Sequence, residues 1–317
     1  LLQTTPTLHG LSAKFAIQLD GGEALAMLEH PHDIWLSALP GTPARLVFGL
    51  AGCPGDPPLG VVDAEQAVPM IEQLLRLFLD LAGSEYSRMR QLLAVTPARQ
   101  LLQRLQERLP FALQAAPLGW QRTSIHPHPA LGIYPQQQAD LCMVAAGARL
   151  GRINAAQLRA LAALAEQHGD ASLRLTPWQG LLLPNIPEQS ANQLLHALAE
   201  LGLLTDAQEP LSNLIACTGS AACGKGLADS KADALQLAKR LRASTARPQV
   251  HLSACPRSCA AAHTAPFTLL ASSAGHYQLY QRTPEAAGFG QLLASALTID
   301  EAGDWFAAHC TTGNSDA

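Results

Sequence analysis

Four of the seven cysteines lie in one short window, and this clustering constrains the chain more than any other feature of its sequence. The window runs from Cys217 to Cys259 with the spacing C-x5-C, then 31 residues, then C-x3-C. Zinc-binding loops commonly use C-x2-C or C-x4-C pairs, whereas four thiolates match the ligand demand of a [4Fe–4S] cluster. The spacing predicts a metal centre, with an iron–sulfur cluster favoured over zinc and over four unrelated thiols.

The residues around both cysteine pairs favour a cluster. Small residues between Cys217 and Cys223 allow backbone N–H groups to approach the sulfur atoms. A helix is predicted after this pair, so Cys223 is expected near a helix N-terminus, which favours the thiolate. A strand over residues 249–253 is predicted to lead into Cys255, and Pro256 stiffens the turn that follows. The predicted helix rests on the apolar spacing of Leu227, Ala234, Ala238 and Leu241.

Composition excludes several classes of protein. The chain has 317 residues, of which 48% are hydrophobic and 15% charged, so it is neither disordered nor a coiled coil. Its net charge of −4 offers no basic stripe for nucleic acid. The most apolar stretch, residues 68–81, is interrupted by Glu72, Arg76 and Asp80, which predicts an amphipathic helix and not a membrane span.

The start of the sequence bears on where the protein works. It begins at Leu1 without Met, and it has no signal-peptide pattern, so we expect a chain that lacks its natural beginning. Retained cysteines without a secretory segment indicate a reducing compartment. We therefore expect a cytoplasmic protein.

The cysteine pattern, with Pro256 beside the third cysteine, resembles that of the sulfite/nitrite reductase superfamily. Residues 173–181 resemble its R-x-T-x-x-Q-x-L segment, residues 11–15 resemble its L-P-R-K-F segment, and residues 277–280 resemble the strand after the second cysteine pair. The resemblance implies a [4Fe–4S] cluster whose last cysteine also ligates sirohaem iron. The cofactor-binding residues that it implies are Cys217, Cys223, Cys255, Cys259, Thr176 and Gln179.

Within this superfamily, the sequence most resembles the precorrin-3B synthases of aerobic cobalamin biosynthesis. The resemblance is carried by residues 15–22, 29–36, 217–219 and 226–229. It implies an iron–sulfur monooxygenase that oxidises precorrin-3A with O2 and NADH-derived electrons to a hydroxylated lactone, precorrin-3B. The second iron centre is then either sirohaem, bound through Cys259, or a non-haem iron. The implied partners are an acidic tetrapyrrole and an NADH-dependent reductase or a ferredoxin.

Two departures from the reductase pattern bear on the substrate. In the reductases the corresponding segment resembles K-F-K, whose two lysines bind the anion. This chain has Lys14 but Ala16 at the second lysine position. Reductases usually place Asn where this chain has Arg257, which could pair with tetrapyrrole carboxylates. Lys14 and Arg257 are therefore the predicted catalytic residues. The alternatives are an assimilatory sulfite or nitrite reductase with sirohaem, and a truncated, non-catalytic or zinc-stapled scaffold.

We expect an α+β fold with two sulfite/nitrite-reductase-type α/β modules around a ferredoxin-like βαβ module. The predicted modules are residues 1–118, residues 119–205 and residues 206–317, the last carrying the four clustered cysteines. Another ferredoxin-like module is expected before Leu1 and is missing from the chain. Residues 130–205 read β-β-α-β-β-α.

Several helix ends can be predicted from local chemistry. Asn154 with Gln157 forms a capping-box pattern, and Gly169 is placed to end the same helix. Asp63 and Thr96 are the predicted caps of two earlier helices.

Other residues have both a functional and a structural interpretation. His30, His32 and Asp33 form an H-x-H-D pattern that suits a metal but is more often a solvated turn, as is the pair His126 and His128. Arg149, Arg152 and Arg174 could face an acidic substrate or lie on the surface, while Cys53, Cys142 and Cys310 are expected to be structural.

Overall fold

The computed structural model contains two compact units, residues 1–126 and residues 127–317. Helices and small sheets occur in both units, which agrees with the predicted α+β class. Within the described part of the chain, no helix is long and apolar enough to cross a membrane. The structure describes residues 2, 4–28, 30–41, 44–123, 131–261, 265–283 and 288–310.

The first unit contains a four-stranded sheet in the order β1-β2-β3-β4. β1 and β2 are parallel, and the other neighbours are antiparallel. The strands are β1 (Ile17–Asp20), β2 (His32–Leu39), β3 (Arg45–Gly52) and β4 (Gly60–Asp63). The helices that follow are α1 (Ala64–Ala82), α2 (Met89–Leu93) and α3 (Ala98–Gln106).

The period-two alternation of β2 separates two apolar clusters. Ile34 and Leu36 lie in the larger cluster, together with Leu74 and Phe78 of α1. Trp35, between them in sequence, lies in a smaller cluster with Val47 and Val61. Both clusters are nearly inaccessible to water, so both faces of this strand are buried.

A buried ion pair fastens the end of the first unit to its sheet. Arg122 donates two hydrogen bonds to Asp20, with Nε 2.6 Å from Oδ2 and Nη2 2.9 Å from Oδ1. The hydroxyl of Ser37 and the N–H of Gly22 also donate to this carboxylate. Burial acts to raise the pKa of Asp20, but the hydrogen bonds from Arg122, Ser37 and Gly22 outweigh it, so the pKa lies below its ordinary value.

Two of the predicted helix caps in the first unit are wrong in detail. Asp63 occupies the N-cap position of α1, but its side chain makes no capping hydrogen bond. Thr96 is not the cap of α3, because Pro97 is the N-cap and the helix begins at Ala98. Proline fixes φ near −65° but leaves ψ free. Pro97 has an extended ψ of 140°, so it lies outside the helix as its N-cap.

The second unit begins with the expected β-β-α-β-β-α succession. Its four strands form an antiparallel sheet in the order β5-β6-β8-β7. The capping box of Asn154 and Gln157 and the helix end at Gly169 are confirmed. The elements are β5 (Gly132–Pro135), β6 (Leu141–Gly147), α4 (Ala155–His168), β7 (Arg174–Leu175), β8 (Gly180–Pro187) and α5 (Glu188–Glu200).

A five-stranded sheet completes the second unit, in the order β13-β12-β11-β10-β9. β9, β10 and β11 are mutually parallel, and β12 and β13 are antiparallel additions at one edge. β13 is an element that the sequence pattern did not predict. The elements are β9 (Leu214–Ala216), α6 (Ser230–Leu241), β10 (Val250–Ser253), β11 (Phe267–Ser273), β12 (His276–Gln281), β13 (Gln291–Leu297) and α7 (Ile299–His309).

The helix after the first cysteine pair starts later than predicted. α6 begins at Ser230, so Leu227 lies outside it and is 49% exposed. Cys223 is therefore not at the N-terminus of this helix. It is Cys217 that contacts the first helical residue, since the sulfur of Cys217 lies 3.3 Å from the hydroxyl oxygen of Ser230.

Candidate functional site

Both cysteine pairs follow neighbouring parallel strands. Cys217 comes directly after β9, and Cys255 comes two residues after β10. Ala216 and Leu252 are paired in register, so the loops after both strands emerge at the same edge of the sheet. The N–H of Cys217 donates to the carbonyl of Leu252 at 3.2 Å, which extends the strand pairing to the first cysteine itself.

The first cysteine loop is a tight backbone structure that depends on glycine. The N–H of Cys223 donates to the carbonyl of Gly219 at 2.9 Å, and the N–H of Gly226 donates to the carbonyl of Cys223 at the same distance. Gly219 has a φ of +71°, and a Cβ there would lie 2.7 Å from the backbone nitrogen of Ser230. A Cβ on Gly226 would lie 2.7 Å from the nitrogen of Ser220. Both glycines allow a close approach of backbone to backbone.

The second cysteine loop is held to the first by the backbone. The N–H of Leu227 donates to the carbonyl of Ala254 at 2.9 Å. Ser258, between the two cysteines of this loop, is buried and has a φ of +51°, so the turn uses a left-handed residue without glycine. Cys259 is exposed, and Cys255 is partly exposed.

The sulfur of Cys217 already has polar neighbours suited to a thiolate. The N–H of Ala254 donates to this sulfur at 3.2 Å, and the hydroxyl of Ser230 lies 3.3 Å from it. Backbone N–H groups directed at sulfur are typical of iron–sulfur sites, where they tune the potential of the cluster. This contact also joins the two loops, because Ala254 belongs to the second one.

The four cysteines fit a [4Fe–4S] cluster in donor chemistry and in the placement of their loops. Their side chains do not form a closed site as they stand. In the described parts of the chain, no three His, Cys, Asp or Glu side chains are grouped closely enough to hold a metal ion. The ligand assignment rests on the loops and on the environment of Cys217.

Lys231 is a residue of this region that sequence reasoning missed. Its ammonium donates to the carbonyl of Leu150 at 2.5 Å and to the carbonyl of Ala216 at 3.2 Å. Burial lowers the pKa of Lys231, and the charge of Arg152 lowers it further, whereas Cys217 acts in the opposite direction. None of the ion pairs formed between described residues includes Lys231.

Thr176 and Gln179 lie in the turn between β7 and β8. The N–H of Gly180 donates to the hydroxyl of Thr176 at 3.1 Å, which closes the turn. The carbonyl of Gln179 accepts from the N–H of Ala148 at 2.9 Å, and its side chain packs so closely on Gly151 that a Cβ there would lie 2.7 Å from Oε1. This turn thus packs on the segment whose Leu150 carbonyl binds Lys231. The cofactor-binding role of Thr176 and Gln179 stays a prediction.

Comparisons with known proteins agree with this architecture. Residues 134–201 match the family described as the nitrite/sulfite reductase ferredoxin-like half domain. The chloroplastic ferredoxin–nitrite reductase of Zea mays is 30% identical over 289 residues, which cover 81% of this chain and 48% of that protein. Sulfite reductase (ferredoxin) 2 of Mycolicibacterium paratuberculosis is 29% identical over 174 residues, which cover 49% of this chain and 31% of that protein.

The solved structure of the NirA protein of Mycobacterium tuberculosis has the same fold. It matches with a TM-score of 0.70 at 22% identity, over 89% of this chain and 58% of that one. The chain thus matches the half-domain family over residues 134–201, and it is similar to nitrite reductases over most of its length and to a sulfite reductase over about half of it. It spans about half the length of the curated nitrite reductases that it matches. The finer resemblance to precorrin-3B synthases is not shown by these relatives.

The segment that resembles L-P-R-K-F lies in the first unit of the chain. Lys14 precedes β1 and is exposed, and none of the ion pairs among described residues includes it. The N–H of Ala16 donates to the Asp33 carboxylate at 2.9 Å. The segment therefore has one lysine, Lys14, where the K-F-K pattern of the reductases has two. The role of Lys14 stays a prediction.

Asp33 has a structural role that the H-x-H-D pattern did not predict. It is buried in β2 and accepts hydrogen bonds from the N–H of Ala16 at 2.9 Å, the N–H of Met89 at 2.7 Å and the guanidinium of Arg88 at 3.0 Å. The interpretation of Asp33 as part of a solvated turn is therefore wrong.

The neighbouring His32 is also partly buried. Burial lowers the pKa of His32, whose Nδ1 lies 2.7 Å from the carbonyl of His30.

We expect Asp33→Asn to destabilise the first unit by about 2 kcal/mol. One carboxylate oxygen becomes an NH2 group that faces donors, while the partly exposed Arg88 can recover some solvation. Urea unfolding of the wild type and the variant measures the difference. A stability loss within error of zero would show that these hydrogen bonds are replaced by water at no cost.

The remaining candidates lie in several parts of the chain, and two of them fall outside the described residues. Cys142 is buried in β6, which confirms its structural interpretation, and burial raises the pKa of Cys53 and of Cys310. His126 and His128 lie outside the described residues. Arg149 lines a cavity of about 250 Å³ that also contains the ion-paired Arg242.

Proposed function

We propose that this chain is the cluster-bearing part of an oxidoreductase of nitrite/sulfite reductase type. The [4Fe–4S] ligands in this proposal are Cys217, Cys223, Cys255 and Cys259. The observation that carries it is that the two cysteine loops follow the same ends of the parallel strands β9 and β10, with a backbone N–H already on the sulfur of Cys217. When bound, such a cluster supplies single electrons to a second iron centre.

The electron donor in this proposal is a ferredoxin. The names of the maize and mycobacterial relatives both include ferredoxin, which supports this choice. The NADH-dependent reductase that the precorrin-3B synthase resemblance implies has no such support.

The substrate best supported by the comparisons is a small oxyanion, nitrite or sulfite. Both are named in the relatives, and both need cationic side chains for binding. Lys14 in the first unit and Arg257 in the second are exposed cations, and no hydrogen bond or ion pair that the structure gives between described residues uses either side chain. The proposed role of Arg257, which lies in the second cysteine loop, is to bind the anion, and the role of Lys14 stays the prediction made from the sequence.

One observation favours a second candidate, oxidation of an acidic tetrapyrrole as in precorrin-3B synthase. Ala16 stands at the position of the second lysine, and its backbone N–H donates to the Asp33 carboxylate. A small anion therefore has one of the two lysines that the reductase pattern implies. A precorrin carries several carboxylates, each of which can pair with a cation. In this candidate Arg257 binds a substrate carboxylate, and the second iron is sirohaem through Cys259 or a non-haem iron.

A single set of assays separates these candidates. The chain is loaded anaerobically with iron and sulfide and reduced with ferredoxin or methyl viologen. Oxidation of the donor that depends on nitrite or sulfite supports the reductase. No response to either anion, together with precorrin-3A binding and O2-dependent formation of its lactone, supports the second candidate. A chain that takes up one zinc and no iron contradicts both and supports a zinc-stapled scaffold.

We expect Arg257→Gln to weaken binding of the anionic substrate roughly tenfold while the iron content stays unchanged. A charged hydrogen bond contributes about 1.5–3 kcal/mol, and the exposure of Arg257 places it at the lower end. The penalty should shrink at high salt, because exposed charges are screened. Titration of substrate into iron-loaded protein measures it. Equal affinities at low salt would exclude an electrostatic role.

A further inference from the structure

Lys231 joins the cysteine-bearing strand to the segment of residues 149–151. Its ammonium is bound by two carbonyl groups, one from Leu150 and one from Ala216, and by no carboxylate in the described part of the chain. Ala216 is the residue directly before Cys217, and Ser230, directly before Lys231, contacts the Cys217 sulfur. A cation without a neutralising carboxylate therefore stands behind the first proposed cluster ligand.

We propose that Lys231 is a positioning residue that raises the reduction potential of the cluster by placing a positive charge beside Cys217. The proposal rests on the cluster assignment made above. A one-electron reduction adds negative charge to the cluster, and a nearby cation stabilises that charge. Two carbonyl acceptors fix the ammonium in place without cancelling its charge.

The distance supports an effect of measurable size. The ammonium lies 3.2 Å from the Ala216 carbonyl oxygen, which five bonds connect to the Cys217 sulfur. The two are therefore within about 10 Å of each other. With an effective dielectric constant of about 20, unit charges at this distance change a reduction equilibrium by roughly tenfold or more. A tenfold change corresponds to about 59 mV for one electron.

The test compares three variants of Lys231 with a control on the same helix. Lys231→Gln and Lys231→Met remove the charge, and Lys231→Arg keeps it. Lys239→Gln, at an exposed position of α6, is the matched control. Iron and sulfide are measured first, and the midpoint potential is then measured by redox titration followed by electron paramagnetic resonance.

We expect both neutral variants to shift the potential downward by about 59 mV, with Lys231→Arg and Lys239→Gln close to the wild type. Unchanged potentials in neutral variants with a full cluster would overturn the proposal and leave Lys231 as a link between two carbonyls. Loss of the cluster from both neutral variants, but not from Lys231→Arg, would overturn the proposal in favour of a role of the charge in binding the cluster. Loss from all three variants overturns it. A wild-type chain that binds no cluster contradicts the proposed function instead.

Discussion

Replacing Cys223 with serine is expected to remove the cluster from the protein. The wild-type chain should bind four irons and four sulfides, and the variant should bind close to none after the same anaerobic loading. The serine hydroxyl stays protonated at neutral pH and is a much harder ligand than thiolate. Three thiolates on two loops cannot complete the ligand set that four provide. Iron and sulfide analysis and visible absorption measure the outcome.

Cys53→Ser provides the matched control for this experiment. Cys53 lies in a turn of the first unit, where its N–H donates to the Asp56 carboxylate at 2.8 Å, and burial raises the pKa of its thiol. This substitution should leave iron and sulfide unchanged. Full iron content in both variants would show that the ligands are assigned wrongly. Loss of iron in both would assign a role to Cys53 that its loop does not suggest.

The second large effect is expected from Asp20→Asn, which breaks the buried pair with Arg122. The Asp20 side chain is fully buried, and that of Arg122 is 5% exposed. The substitution leaves the guanidinium buried without a counter-charge, which costs about 3–5 kcal/mol. For a unit of this size, the melting temperature should fall by about 10–20 °C. Thermal and urea unfolding measure the loss.

The pair between Arg108 and Asp80 offers a matched control on the surface. These side chains are 35% and 60% exposed and lie 2.7 Å apart. Asp80→Asn should cost less than about 1 kcal/mol, because exposed ion pairs contribute little. If Asp20→Asn costs no more than Asp80→Asn, the buried pair does not stabilise the unit in the way proposed.

The contribution of Asp20 also predicts a dependence on pH. Its pKa is lower in the folded state than in the unfolded chain. Its stabilising effect is therefore fully present above the unfolded pKa and is lost as the pH falls through the folded value. The stability difference between wild type and Asp20→Asn should accordingly shrink below about pH 4. A difference that stays constant down to pH 2 would contradict this origin.

Local patterns predicted much of the fold, because local interactions form those parts of it. The capping box at Asn154 and the alternation of strands and helices over residues 130–205 depend on neighbours a few positions apart. The start of α6 was misplaced because Leu227 happens to match the helical spacing. In the structure its N–H donates instead to the carbonyl of Ala254, a residue 27 positions away along the chain.

The roles of two polar residues could not be predicted from the sequence, because their partners are distant along the chain. Asp33 binds donors that lie 17, 55 and 56 residues away. Lys231 binds carbonyls that lie 15 and 81 residues away. The sequence did contain one indication for Lys231, because it is one of only four lysines and it follows the first cysteine pair. Nothing in the spacing of Asp33 indicated burial.

The parallel pairing of β9 with β10 has a consequence for the order in which the protein matures. Parallel neighbours cannot be joined by a hairpin, and here the chain must first form the crossover through α6. During synthesis, the first two thiols therefore leave the ribosome long before the other two can meet them. We expect metal loading to follow completion of this crossover, and the nascent chain to depend on a reducing environment until then.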